Sequence, residues 1–203
     1  MNCSPCSEAD VPPDTPRQPW CDRRHSAGFT LIELLVTLAV ATLLLGVGLP
    51  NFRNLRDAYR LSSQTNLLVS ALHLARSEAI KLGDPVILCK GRNTLCNPGA
   101  GWSDEWLLFH DRNGDKHFSP SNDTLIRHYA ASPSLTISTA SNYTCWMGFG
   151  ANGYPIGGGA DCLGKGLGND TFRLCPGASE GIRTGRRVVI NATGRIRTED
   201  TPC

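Results

Sequence analysis

An α+β fold, one long N-terminal helix laid on an antiparallel sheet domain braced by disulfides, is predicted by three observations. An apolar run at 30 to 49 is followed by an amphipathic helical pattern, and beyond Pro85 short apolar and β-branched runs alternate with Gly, Asn, Asp and Pro. Six cysteines lie beyond the apolar run, an even set suited to bridging a loop-rich domain.

The first element is the apolar run. From Thr30 to Leu49 the only charge is Glu33, and a helix of that length reaches about 30 Å, the thickness of a bilayer's hydrocarbon. A cleaved secretory signal is the rival reading, since Arg23 and Arg24 precede the run and Gly46-Val47-Gly48 supplies small residues for cutting. Glu33 weighs against it, because an ionisable residue inside a span is rare and expensive; its plain reading is a carboxylate snorkelling at the membrane edge. Arg17, Arg23 and Arg24 on one side are balanced by Arg53, Arg56 and Arg60 on the other, so the basic residues set no orientation. The cysteines do: Cys3, Cys6 and Cys21 precede the run, and Cys89, Cys96, Cys145, Cys162, Cys175 and Cys203 follow it. None of the latter has zinc-ligand C-x2-C spacing, so disulfides in an oxidising, periplasmic compartment are expected for the domain they occupy. Their pairing stays open among 15 connectivities; Cys175 and Cys203 flank a hairpin, and a bridge between them pins the tail.

The second element is the amphipathic half of the helix. Gly46, Gly48 and Pro50 predict a bend or loosening where the apolar run ends. Leu68, Leu72, Ala75, Ala79 and Leu82 then recur at helical spacing, with Arg76, Glu78 and Lys81 between them. Lys81-Leu82-Gly83-Asp84-Pro85 supplies a basic last turn, a glycine stop and a breaker. Strands are predicted over 86–90, 106–110, 124–129, 135–139, 171–175 and 187–191, and the glycine-rich stretch 151–169 reads as a loop tied down through Cys162.

With 203 residues and a net charge of +2, the chain has room for one domain and an appendage, and no global field draws it to nucleic acid. Any such role rests on a local patch. Asp111-Arg112-Asn113-Gly114-Asp115 spaces oxygen ligands as the first half of a calcium loop does, but its glycine comes early and the closing acid is missing; a hairpin turn using Asn-Gly is the competing reading. His25, His73, His110, His117 and His128 are scattered, and no catalytic arrangement follows from their order. Arg183, Arg186, Arg187, Arg195 and Arg197 crowd the segment 181–197, which contains no acid. Within it Asn191 to Gly194 reads as a turn, and alternation beyond the turn puts Arg195 and Arg197 on one face about 6.6 Å apart, with Ile196 facing the core. Two guanidiniums so placed suit neighbouring phosphates of one nucleic-acid strand. The competing reading is a solvated strand pair whose basic side chains keep a sheet edge from aggregating.

Gly28-Phe29-Thr30-Leu31-Ile32-Glu33-Leu34 resembles the class III signal of type IV pilins and type II secretion pseudopilins. The resemblance implies that a prepilin peptidase cuts after Gly28, that the new N-terminal Phe29 is methylated, and that the apolar run is retained. Glu33 then stands fifth in the mature chain, close to the new amine. In a fibre of axially offset helices the carboxylate of one subunit would meet the amine of its neighbour and set register. GWSDEWLLFHDRNGD, TLIR and RVVINATGRIR together resemble the GspH/FimT branch of pseudopilins and minor pilins, and Gly194-Arg195-Ile196-Arg197 is similar to the GRxR motif of FimT-like minor pilins. The implied organisation is a cytosolic leader over 1–28, a transmembrane and assembly helix over 29–52, an amphipathic half over 53–82 and a periplasmic β-rich domain over 83–203, in a type IV pilin-like fold. The implied role is non-catalytic and needs no cofactor. Implied partners are other pilins or pseudopilins in a fibre, the prepilin peptidase, an inner-membrane assembly platform and, for a FimT-like subunit, duplex DNA taken up in natural transformation. A GspH-like pseudopilin of a type II secretion system, with no DNA binding, is the alternative; a secreted disulfide-rich enzyme with a cleaved signal is the rival from another class.

Overall fold

The computed structural model describes residues 28–130, 132, 134–164, 168–177 and 184–203, with the backbone alone over 47–54. Residues 1–27, with Cys3, Cys6, Cys21 and His25, lie outside the described residues, as does Arg183. The chain divides into two compact units at Gly46 and Val47.

The first unit is the start of helix α1 (Leu31–Leu82). Thr30 caps it, its Oγ1 accepting from the Glu33 amide at 3.3 Å, while its carbonyl accepts from Leu34 N. Glu33 lies in the first turn, where a carboxylate complements the helix dipole. The apolar side chains here are uncovered: Phe29 is 85% and Leu31 78% exposed. Among the described residues no helix is long and apolar enough to cross a membrane.

The helical residues continue through Gly46, Gly48 and Pro50 without interruption. In the second unit, Leu61, Leu68, Ala71, Leu72, Ala75 and Ala79 are buried, which extends the apolar stripe about two turns upstream of the predicted one. Leu82 departs from that pattern at 41% exposed, because the helix ends there. Gly83, with φ of 72°, donates its amide to the Ala79 carbonyl at 3.0 Å and turns the chain away.

Ten strands follow among the described residues: β1 (Val86–Arg92), β2 (Leu95–Cys96), β3 (Glu105–His110), β4 (Thr124–Tyr129), β5 (Leu135–Thr139), β6 (Trp146–Phe149), β7 (Pro155–Gly158), β8 (Asp170–Pro176), β9 (Thr184–Ile190) and β10 (Ile196–Pro202). Their described pairings are antiparallel and build two sheets, one in the order β4-β3-β1-β6-β7 with β2 hung on β1, the other in the order β10-β9-β8-β5. One core lies between the buried stripe of α1 and residues of both sheets, including Leu88, Leu108 and Phe149 from the first and Phe172, Leu174 and Val188 from the second. A smaller cluster of Ile87, Leu107, Phe109, Phe118 and Trp146 covers the other face of the first sheet. All six downstream cysteines pair, as Cys89–Cys96, Cys145–Cys162 and Cys175–Cys203.

The glycine-rich stretch 151–169 is not all loop, since β7 runs through it. Glycine is depleted in strands, yet a Cβ on Gly158 would collide with the Trp146 indole, which occupies the place of a side chain. Trp146 Nε1 donates to the Cys162 carbonyl at 3.0 Å, which is how the loop beyond β7 is tied down beside its disulfide.

Tyr143 is buried where the sheets meet, stacked on Phe172 at 5.5 Å, with its hydroxyl donating to the Gly168 carbonyl. The buried Asp170 carboxylate accepts from the Asn142 and Tyr143 amides at 2.8 and 2.9 Å. Burial, and secondarily the Asp170 charge, hold the Tyr143 phenol well above its ordinary pKa.

Candidate functional site

The arginine-rich hairpin is the β9–β10 pair, and β10 is an edge strand. Its turn runs from Asn191 to Gly194. Gly194 N donates to the Asn191 carbonyl at 2.8 Å, and Asn191 Oδ1 accepts from Thr193 N at 3.2 Å and Arg195 N at 2.8 Å, an asparagine organising its own turn. Gly194 has φ of 79°, in the left-handed region, and a Cβ there would lie 2.9 Å from the Gly153 carbonyl oxygen and 3.2 Å from Arg76 Cζ.

The helical pattern puts Arg76 among polar residues between core positions. Its guanidinium instead donates to the carbonyls of Gly194 at 2.8 Å and Thr193 at 3.2 Å. One planar fork on α1 therefore locks the turn of a hairpin more than a hundred residues away. Nothing in the spacing of Arg76 separates it from Lys81, which stays exposed and bonds to Glu78 at 3.3 Å.

Beyond the turn, Ile196 packs partly buried against the core while Arg195 and Arg197 are exposed on the opposite side, as alternation predicts. The segment 181–197 contains no acid, but pairing of the strands brings acids to it. Arg187 faces Glu199 and Arg186 faces Asp200 in the register. Arg187 Nε lies 2.8 Å from Glu199 Oε2, Arg197 Nε 2.9 Å from Glu199 Oε1, and Arg186 Nε 3.1 Å from Asp200 Oδ1. The patch is thus less basic than its five arginines alone suggest, because the two acids lie just beyond that run and the antiparallel register folds them back. Among the described residues no carboxylate lies within 4 Å of Arg195. These pairs are solvent-exposed, and each holds its arginine weakly.

Asp111 to Asp115 belong to a long connection between β3 and β4 and not to a tight hairpin turn. Gly114 does take a positive φ of 77°. Lys116 Nζ sits 3.0 Å from Asp111 Oδ2 and 2.6 Å from the Gly114 carbonyl, so a tethered ammonium pairs with one of the carboxylates that a calcium reading would use. Among the described residues no group of three or more His, Cys, Asp or Glu side chains is arranged to hold a metal. His110 and His128 make single contacts, with Asp84 at 3.0 Å and Glu105 at 3.2 Å.

At the other end, Gly28, Phe29 and Glu33 stand together around the helix start, with no described partner within their unit beyond the Thr30 cap. Residues 23–49 match the prokaryotic N-terminal methylation motif, and residues 64–194 match the family described as type II transport protein GspH. No curated protein matches the chain. Two crystal structures of the type IV minor pilin FimU from Pseudomonas aeruginosa strain PAO1 are similar: one at 21% identity and a TM-score of 0.48, covering 70% of this chain and 90% of that one, the other at 22% and 0.46, covering 68% and 92%. The family match extends from the buried stripe of α1 to the glycine of the arginine turn, behind a methylation motif of the prepilin type: the chain belongs to the GspH family, as a minor pilin or pseudopilin.

Proposed function

We propose that the protein is a FimT-like minor pilin of a type IV pilus that helps to initiate the fibre and binds incoming DNA through its β9–β10 hairpin. In this reading the chain is cut after Gly28, methylated at Phe29, and held in the inner membrane by the helix over 29–52, with residues beyond it in the periplasm. The three disulfides suit an oxidising compartment. The uncovered apolar side chains between Phe29 and Leu45 suit lipid before assembly and neighbouring helices after it. Glu33 would pair with the Phe29 amine of an adjoining subunit. The role is structural and calls for no catalytic residue and no cofactor.

The observation that carries the DNA reading is the turn itself. Arg76 and Asn191 lock it, and it presents Arg195, unpaired by any described carboxylate, on the same face as Arg197 at the edge of a sheet. Contacts to phosphate carry little sequence information, so binding is expected to tolerate any sequence and to fall steeply with salt. Gel-shift titration of the full mature chain in detergent with a duplex, at low and at raised salt, tests this. Binding at low salt that is lost in Arg195→Gln/Arg197→Gln supports it; no binding, or binding unchanged in that variant, leaves the GspH-like pseudopilin of a secretion system, a reading favoured by the neutralising Glu199 and Asp200.

A further inference from the structure

The outer face of the second sheet carries a row of side chains across all its strands. Ser138 on β5 faces Arg173 on β8, Arg173 faces Arg187 on β9, and Arg187 faces Glu199 on β10. Directly paired residues share a face, so two guanidiniums stand opposite each other on adjacent strands, where like charges repel. Glu199 relieves Arg187 from one side, but among the described residues no carboxylate lies within 4 Å of Arg173, whose guanidinium donates to the Pro202 carbonyl. Between the arginines the surface dips into a shallow depression of about 350 Å³, lined by Arg173 and Arg187 together with the hydroxyl residues Ser138, Thr139, Thr171 and Thr201, and by no acid. Every polar side chain on its rim is a hydrogen-bond donor, and a phosphate oxygen is what such a rim accommodates.

Arg197 lies on the same face, two residues from Glu199 along β10 and paired with Val189 beside Thr171 on β8. Strand geometry puts its Cα about 8 Å from that of Arg187, a gap that two flexible arginines close onto consecutive phosphates. We propose that Arg173 and Arg187, with the Ser138, Thr171 and Thr201 hydroxyls, form a phosphate subsite that extends the DNA track from the hairpin edge across the outer face of the sheet. This rests on the DNA reading above. Glu199 occupies Arg187 and Arg197 in the free protein and is displaced when the phosphodiester backbone arrives, so it sets how tightly the face binds.

The test is fluorescence anisotropy of a labelled duplex with the full mature chain in detergent over a salt series. Arg173→Gln is expected to weaken binding roughly threefold to tenfold and to lower the slope of log K against log salt by about 1, the loss of one phosphate contact. Glu199→Gln is expected to tighten binding by a similar factor, which a damaged fold would not do, and adding Arg173→Gln to it should remove most of that gain. Wild-type affinity and slope in Arg173→Gln, alongside lost binding in Arg195→Gln/Arg197→Gln, overturns the subsite and leaves the hairpin reading standing. Should Arg173→Gln prove unfolded by circular dichroism, unchanged or weaker binding in Glu199→Gln overturns it instead. If neither the wild type nor Glu199→Gln binds duplex at the lowest salt, both readings fall.

Discussion

Gly194 does two jobs that a motif alone does not separate. It is the first residue of a Gly-Arg-x-Arg run, yet its positive φ and its closeness to the Gly153 carbonyl and the Arg76 guanidinium make it a packing requirement of the turn. Gly194→Ala should therefore destabilise the domain by about 1–2 kcal/mol from the left-handed conformation alone, more if Arg76 is pushed off its carbonyls, read as a lowered urea midpoint. Arg76→Lys should lose most of what Arg76→Ala loses, since one ammonium cannot reproduce a fork shared by two carbonyls. Tyr143 offers a pH test. Its folded pKa is raised above the ordinary value of 10.0, so above that pH the unfolded chain releases the proton first. The stability contributed is whole below pH 10.0 and shrinks as pH rises past it. Tyr143→Phe should start about 1 kcal/mol less stable, through the unpartnered Gly168 carbonyl, and show a shallower alkaline decline in thermal unfolding. Part of the decline should remain, because burial also raises the Tyr129 phenol.

At the scale of elements, β9 and β10 form the most exposed limb of the second sheet, held by one neighbour, β8, and by the Cys175–Cys203 bridge that ties the last residue back to it. That bridge closes a loop with a sequence separation of 28, for which the chain-entropy estimate is about 3.5 kcal/mol. Cys175→Ser/Cys203→Ser should lose roughly that in denaturant unfolding, and hydrogen exchange should rise first in β10. Strands rich in Val, Leu and Ile, such as 124–129 and 135–139, were legible to the residue. β6 and β7 were not, because their glycines lower β propensity, and the groups that crowd those glycines, the Val86 carbonyl at Gly148, the Tyr143 ring at Gly157 and the Trp146 ring at Gly158, come beside them only once the chain has folded.

At the scale of the whole molecule, membrane anchoring and fibre assembly as proposed both require a helix retained after processing. Mass spectrometry of the mature polypeptide should find a methylated Phe29 at its head; a start near Leu49 would instead mark a cleaved secretory signal. Glu33→Ala should leave the thermal midpoint of the full chain in detergent unchanged, since the side chain is exposed, and should lower incorporation into filaments in cells. Unaltered incorporation would remove the carboxylate–amine pairing.

The chain's local chemistry by itself determined the α+β class, the buried stripe and the end of α1, most strands, the bridging cysteines as a set and the turn at Asn191 to Gly194, because periodicity, glycine stops and turn residues act over a few neighbours. Tertiary structure decided what depends on partners distant in sequence. Register turned a run of arginines into pairs with Glu199 and Asp200, folding chose one disulfide pattern among many, and α1 lent Arg76 to a turn that no spacing rule connects to it. Charge on a strand is a property of the face it shares, and only the assembled sheet says which side chains share it.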